Sequence, residues 1–104
     1  KNYTVCIAAA GGSASLPSVT AALASIPVIG VPIETKKLQG LDSLLSLNCC
    51  PSGCPLATMP IGEAGAVNAA LFAAEIIGTF DPKIKNNVMR WRSKQTKSVK
   101  KKPK

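Results

Sequence analysis

The stretch Ala10-Gly11-Gly12-Ser13-Ala14-Ser15-Leu16-Pro17 joins a short apolar run to a helix-like one. Its residue types suit anion binding. Paired glycines let the backbone approach a ligand closely, and backbone N–H groups with the Ser13 and Ser15 hydroxyls can donate to an anion at a helix N-terminus. The stretch is neither a Walker loop nor G-x-G-x-x-G, so a plain strand-to-helix turn stands beside that reading. Cys49, Cys50 and Cys54 in the run CCPSGCP put sulfur at short spacing. Structural zinc takes four Cys or His ligands. Here the fourth would have to be Cys6, in a strand, so a turn-rich loop is favoured over a metal centre. A Cys50–Cys54 disulfide is conceivable, although nothing indicates an oxidising compartment. The chain has no histidine, which excludes Ser-His and Cys-His nucleophile pairs and any imidazole base. Glu63 and Glu75 lie far apart on one predicted helix and do not converge as an acid/base pair; Glu63 suits the helix N-terminus electrostatically. Asn68 reads as a cap or a cross-link to a neighbouring element. No residue qualifies as catalytic.

The elements that would position these groups follow from apolar patterning. Tyr3 to Ala10 is a nearly continuous apolar run stopped by Gly11-Gly12, as expected of a buried parallel strand. Pro17 sits where a helix starts, and Val19, Ala22 and Leu23 supply an i, i+3, i+4 stripe ending by Pro27. Val28 to Ile33 is a second buried strand whose regular pairing should end at Pro32. Leucines at 41, 44, 45 and 47 predict a short amphipathic helix. Leu56 to Ile61 is a third, weaker strand. From Gly62 to about Ile77 an Ala-rich helix, apolar nearly all round, is expected to be buried on most sides, with Gly78 as its C-cap. Asp81-Pro82 is a cap and first-turn pair for a last helix whose apolar face is Ile84, Val88 and Trp91. Strand–helix alternation implies parallel strands with right-handed crossovers. The fold class is therefore α/β, a parallel sheet in three α/β/α layers. Ligands in such sheets bind outside the carboxyl ends of the strands, where the Gly-Gly loop falls.

The chain of 104 residues holds at most one domain. Its net charge of +8 is concentrated in one segment: residues 1–82 carry three basic and five acidic groups, residues 83–104 ten basic and none acidic. Only Trp91 interleaves with that basic run, and no recognition motif accompanies it. A solvated helix with a basic tail is favoured over a nucleic-acid or anionic-lipid surface. The apolar stretch 61–80 is interrupted by Glu63, Asn68 and Glu75, which argues against a membrane span. No signal peptide is visible, and a cytoplasmic protein is expected.

A family resemblance rests on specific residues. Gly11-Gly12, Leu16-Pro17, Pro27-Val28, Gly30-Val31-Pro32, Gly40, Asp42-Ser43-Leu44, Pro51, Gly53, Pro55, Ile61-Gly62, Gly65-Ala66 and Asn68-Ala69-Ala70 fall in register with one family pattern from about Tyr3 to Trp91. The chain resembles the C-terminal two-thirds of the class I N5-carboxyaminoimidazole ribonucleotide mutases, the phosphoribosylaminoimidazole carboxylase catalytic-subunit family. The resemblance implies a flavodoxin- or Rossmann-like fold and an octamer whose final helix reaches other subunits. It also implies movement of a carboxylate from the exocyclic nitrogen to ring carbon 4 of an aminoimidazole ribonucleotide, without metal or organic cofactor. By carry-over, Ala10, Gly11, Gly12, Ser13, Ser15 and Leu16 line the ribonucleotide pocket.

The departures from the pattern shape the functional expectation. Family members carry a histidine in the Gly-Gly loop where this chain has Ser15, and Gln, Met and Ile where it has Cys49, Cys50 and Cys54. Their phosphate-binding Gly-Ser-x-Ser-Asp and Ser-Ala-His-Arg segments precede the part seen here. A hydroxyl cannot shuttle protons near neutral pH as imidazole does, so the polypeptide alone is expected to be inactive. Its alternative is a catalytically dead homologue acting as an oligomerising or regulatory module. The expected organisation is a truncated α/β domain over 1–80, an amphipathic basic helix over 81–98 and a basic disordered tail over 99–104, with one or two strands preceding Lys1.

Overall fold

The computed structural model describes residues 2–12 and 15–99. Three parallel strands, β1 (Cys6–Ala10), β2 (Val28–Pro32) and β3 (Ala57–Thr58), form one sheet in the order β1-β2-β3. Helices α1 (Ser15–Leu23) and α2 (Leu41–Leu47) pack on one face, and α3 (Glu63–Gly78) on the other. Helix α4 (Pro82–Ser98) packs against α3. This is the three-layer α/β/α arrangement expected of a flavodoxin- or Rossmann-like fold.

The central strand β2 is buried at all of its residues, and Ile29 is wholly inaccessible. Residue alternation splits the core in two. Ile29 and Val31 face Ala69 and Ala73 of α3, whereas Val28 joins Ala8 and Ala21 on the α1 side. Gly30 leaves room on the α1 side for Leu47 and Leu56, whose methyl groups would lie 3.4 and 3.3 Å from a side chain there. Pairing runs from Cys6↔Val28 to Ala10↔Pro32, so Pro32 does end the strand.

Several expectations need correction. The first strand begins at Cys6, because Cys6 N–H bonds to the Pro27 carbonyl at the start of its partner and Tyr3 lies in the open. As an edge strand it is only partly covered: Ile7 is 46% exposed. The third strand shrinks to Ala57–Thr58, bounded by Pro55 and Pro60, although Met59 N–H still reaches the Gly30 carbonyl at 2.9 Å. In α1 the buried face is Pro17 and Ala21, while Val19 and Leu23 of the expected stripe face solvent. In α3 only Gly65, Ala69, Ala73 and Gly78 are buried; Val67 and Phe72 look outward. Small residues win the buried positions because they let the helix axis come close to the sheet.

Gly65 makes the point most sharply: a Cβ there would sit 1.7 Å from the Pro60 carbonyl oxygen. Gly78 is likewise a contact residue, since a Cβ there would lie 3.2 Å from the Lys85 Cα, and the cap of α3 is Thr79 in right-handed conformation. The Asp81 carboxylate caps α4 as expected, accepting from Lys83 N–H at 3.0 Å and Ile84 N–H at 3.4 Å. Of the expected apolar face of α4, Val88 is buried, Ile84 half-buried and Trp91 exposed. A Glu75–Arg92 ion pair also ties α4 to α3. Residues 100–104 of the expected tail lie outside the described residues.

Candidate functional site

Ala10 closes β1 at the carboxyl edge of the sheet, where its carbonyl accepts from Ile33 N–H at 3.0 Å. Gly11 follows, exposed, with its backbone against Ile33 and Thr35. Gly12 then turns the chain with φ +61°, the left-handed region that a side chain enters only at a cost of about 1–2 kcal/mol. A Cβ on Gly12 would meet nothing within 4 Å, so the turn opens onto free space. Ser15 and Leu16 are exposed in the first turn of α1. Ser13 lies outside the described residues. Ala10, Gly11, Gly12, Ser15 and Leu16 therefore share one end of the molecule, around the start of a helix.

The opposite wall comes from the segment after β2, which the sequence reading left out of the site. Thr35 Oγ1 donates to Asp42 Oδ1 at 2.7 Å and accepts from Gly40 N–H at 3.2 Å. The wholly buried Ser43 donates to the Ile33 carbonyl at 2.9 Å. The Ser46 hydroxyl reaches the Gly12 carbonyl at 3.5 Å, the long limit of a hydrogen bond. The third loop, after β3, is tied in by Gly62 N–H bonding to the Pro32 carbonyl at 2.9 Å. The signal for this wall was the Gly40-x-Asp42-Ser43-Leu44 motif, in which Ser43 holds backbone and Asp42 holds the Thr35 hydroxyl.

The remaining sequence candidates lie apart from this turn. Asn68 is exposed on α3 beside Met59, Phe72 and Arg92 and makes no cross-link. Glu63 sits in the first turn of α3 as expected. Cys49 Sγ donates to the Leu45 carbonyl at 3.1 Å, and Cys50 and Cys54 face each other with sulfurs 3.2 Å apart. All the cysteines are free thiols. Donation to Cys50, followed by burial, raises the Cys54 thiol above its ordinary pKa. The cavities among the described residues lie elsewhere, and two of them bear on the comparison. One of about 610 Å³ is apolar and opens at the amino ends of the strands, between Ala24, Pro27, Leu56, Phe72 and Ile76. The other, about 320 Å³, lies between α3 and α4. Neither gathers the hydrogen-bonding backbone that the Gly11-Gly12 turn exposes.

A parallel α/β protein with a glycine turn at its carboxyl edge is the class that fold and site define. The AIR carboxylase family model matches residues 1–98, and the chain belongs to that family. It is 52% identical over 99 residues to the N5-carboxyaminoimidazole ribonucleotide mutase of Vibrio cholerae serotype O1, covering 95% of this chain and 62% of that protein. Against the mutase of Bacillus subtilis (strain 168) it is 53% identical over 98 residues, or 92% and 60% of the two chains. Against that of Brucella melitensis biotype 1 it is 47% identical over 103 residues, 99% and 64%. The chain thus spans less than two thirds of the length of these curated relatives. No helix among the described residues is long and apolar enough to cross a membrane.

Proposed function

We propose that this chain forms part of an N5-carboxyaminoimidazole ribonucleotide mutase of purine biosynthesis, a cytoplasmic enzyme that shifts a carboxylate from the exocyclic nitrogen to ring carbon 4. The observation that carries the reading is the Gly11-Gly12 turn. It opens at the carboxyl edge of a parallel sheet in a chain about half identical to such mutases. In this reading Ala10, Gly11, Gly12, Ser13, Ser15 and Leu16 line the ribonucleotide pocket. Backbone N–H groups at the start of α1 donate to the anionic substrate, and the braced wall at Thr35, Asp42 and Ser43 holds the turn in shape. Residues 1–80 are then the larger share of a parallel α/β domain, residues 81–98 a basic helical extension, and the free edge of β1 is where one or two preceding strands add.

The proton carrier is a separate matter. Carboxylate migration exchanges a proton at ring carbon 4, and this histidine-free sequence offers the Ser13 and Ser15 hydroxyls, and no imidazole, at the turn. A missing general acid/base typically lowers a rate 10²–10⁴-fold, a range of about that size. On that ground these residues alone are expected to turn substrate over more slowly by about that factor. Outward-facing Val19, Leu23, Val67 and Phe72 support assembly with further copies, an octamer by resemblance.

Calorimetry with carboxylated aminoimidazole ribonucleotide tests the reading. Gly12→Ala, whose methyl would project into the open turn, is expected to weaken binding at least about tenfold while the protein stays folded. Equal binding by the two proteins would overturn it.

A further inference from the structure

Cys50 and Cys54 stand at the two ends of a tight turn. Cys54 N–H bonds to the Pro51 carbonyl at 3.1 Å, and Gly53 takes φ +91° between them. The turn brings the sulfurs to 3.2 Å. Neither thiol is sealed in the core: both residues are half-exposed, and Pro51, Ser52 and Gly53 between them are exposed. The other cysteines are engaged elsewhere, Cys49 with the Leu45 carbonyl and Cys6 against the Ala8, Ala21 and Val28 cluster.

We propose that Cys50 and Cys54 are a dithiol modification site, which low-molecular-weight disulfides such as glutathione disulfide oxidise to an intramolecular disulfide. A disulfide bond is about 2.05 Å long, so the sulfurs need to close by only about 1.2 Å, within reach of an exposed turn. The two sulfurs have different roles. The Cys54 thiol has one proton and two acceptors at hand, Cys50 Sγ and, at 3.4 Å, the Ser18 carbonyl. It holds that proton, so Cys50 is the sulfur that attacks first.

The Cys50 thiolate, its proton lost to solvent, attacks one sulfur of the external disulfide and expels a thiolate, leaving a mixed disulfide. Cys54 then gives up its proton and attacks Cys50 Sγ, expelling the second thiolate. Two protein thiols are oxidised, one small disulfide is reduced to two thiols, and each expelled thiolate takes up a proton. The site adjoins the glycine turn: α2, which leads into it, touches the Gly12 carbonyl through Ser46, and Cys54 touches the first turns of α1 through Ser18. Oxidation removes the Cys54 proton and with it the donor to Ser18.

The test incubates the intact protein with excess glutathione disulfide, traps free thiols with N-ethylmaleimide and weighs the product. Wild type is expected to lose two of its four alkylatable thiols and two hydrogens, with no glutathione retained. Cys49→Ser is expected to lose the same two, which assigns the bond to Cys50 and Cys54. Cys54→Ser should stop at the glutathione adduct on Cys50. Four thiols remaining in wild type, or two retained glutathiones, would overturn the proposal. So would a Cys49→Ser variant that keeps Cys50 and Cys54 alkylatable. The wild-type measurement stands whether or not either variant folds.

Discussion

The two ends of the sheet are built on different principles. At the carboxyl end, Thr35, Ser43 and Ser46 hydrogen-bond to backbone, Asp42 accepts from the Thr35 hydroxyl, and a glycine turn stays open. At the amino end the chain leaves an apolar hollow between Pro27, Leu56, Phe72 and Ile76, with no comparable side-chain bracing among the described residues. The larger cavity is therefore not the better candidate. Ligand chemistry needs directed donors held in place, and among the described residues the side-chain bracing of backbone lies at the carboxyl end. The hollow is a place for apolar matter to pack.

Substitutions at the two ends should separate structural support from recognition. The largest effect is expected at Gly65, where α3 starts against the carboxyl-end loop. Gly65→Ala forces a methyl into the Pro60 carbonyl and should lower unfolding stability by about 3 kcal/mol, the upper part of the overpacking range, read from denaturant midpoints. A shift under about 1 kcal/mol would mean that α3 is not seated as described. Next comes Ser43→Ala, which removes the buried hydroxyl that donates to the part-buried Ile33 carbonyl. It should cost about 1–3 kcal/mol and loosen the wall facing Gly11-Gly12, seen as faster amide exchange at Ile33 and Gly40. Unchanged exchange there would break the distinction between a braced and an unbraced end. The smallest effect is expected away from both ends: Glu75→Gln removes the exposed ion pair to Arg92 and should change stability by less than about 1 kcal/mol, less still in high salt. A larger loss would make the α3–α4 contact a principal support of the fold.

Much of this architecture is legible in the chain. The β-branched run at Val28 to Pro32, the Gly11-Gly12 stop and the Asp81-Pro82 cap each act through local sterics or hydrogen bonding, so they need no tertiary context. The parallel order follows from the alternation of such segments. Helix faces are a different matter. Hydropathy points Val19 and Leu23 inward, yet Pro17 and Ala21 are the buried residues of α1; in α3, Gly65, Ala69 and Ala73 are buried while Val67 and Phe72 are exposed. In Ala- and Gly-rich helices apolarity differs little from face to face. Side-chain size then decides which face approaches the sheet, and size carries no hydropathic signature. The same limit hid part of the candidate site. Ser43 and Asp42 look like ordinary helix-start residues until the fold brings Ile33 and Thr35 beside them.

Amide chemical shifts followed during titration with carboxylated aminoimidazole ribonucleotide test most directly which end of the sheet receives ligand. The largest changes are expected at Gly11, Gly12, Ser15 and Leu16, with weaker ones at Thr35 and Gly40. Changes centred instead on Ile26, Leu56 and Phe72 around the apolar hollow, or on α4, would contradict the assignment.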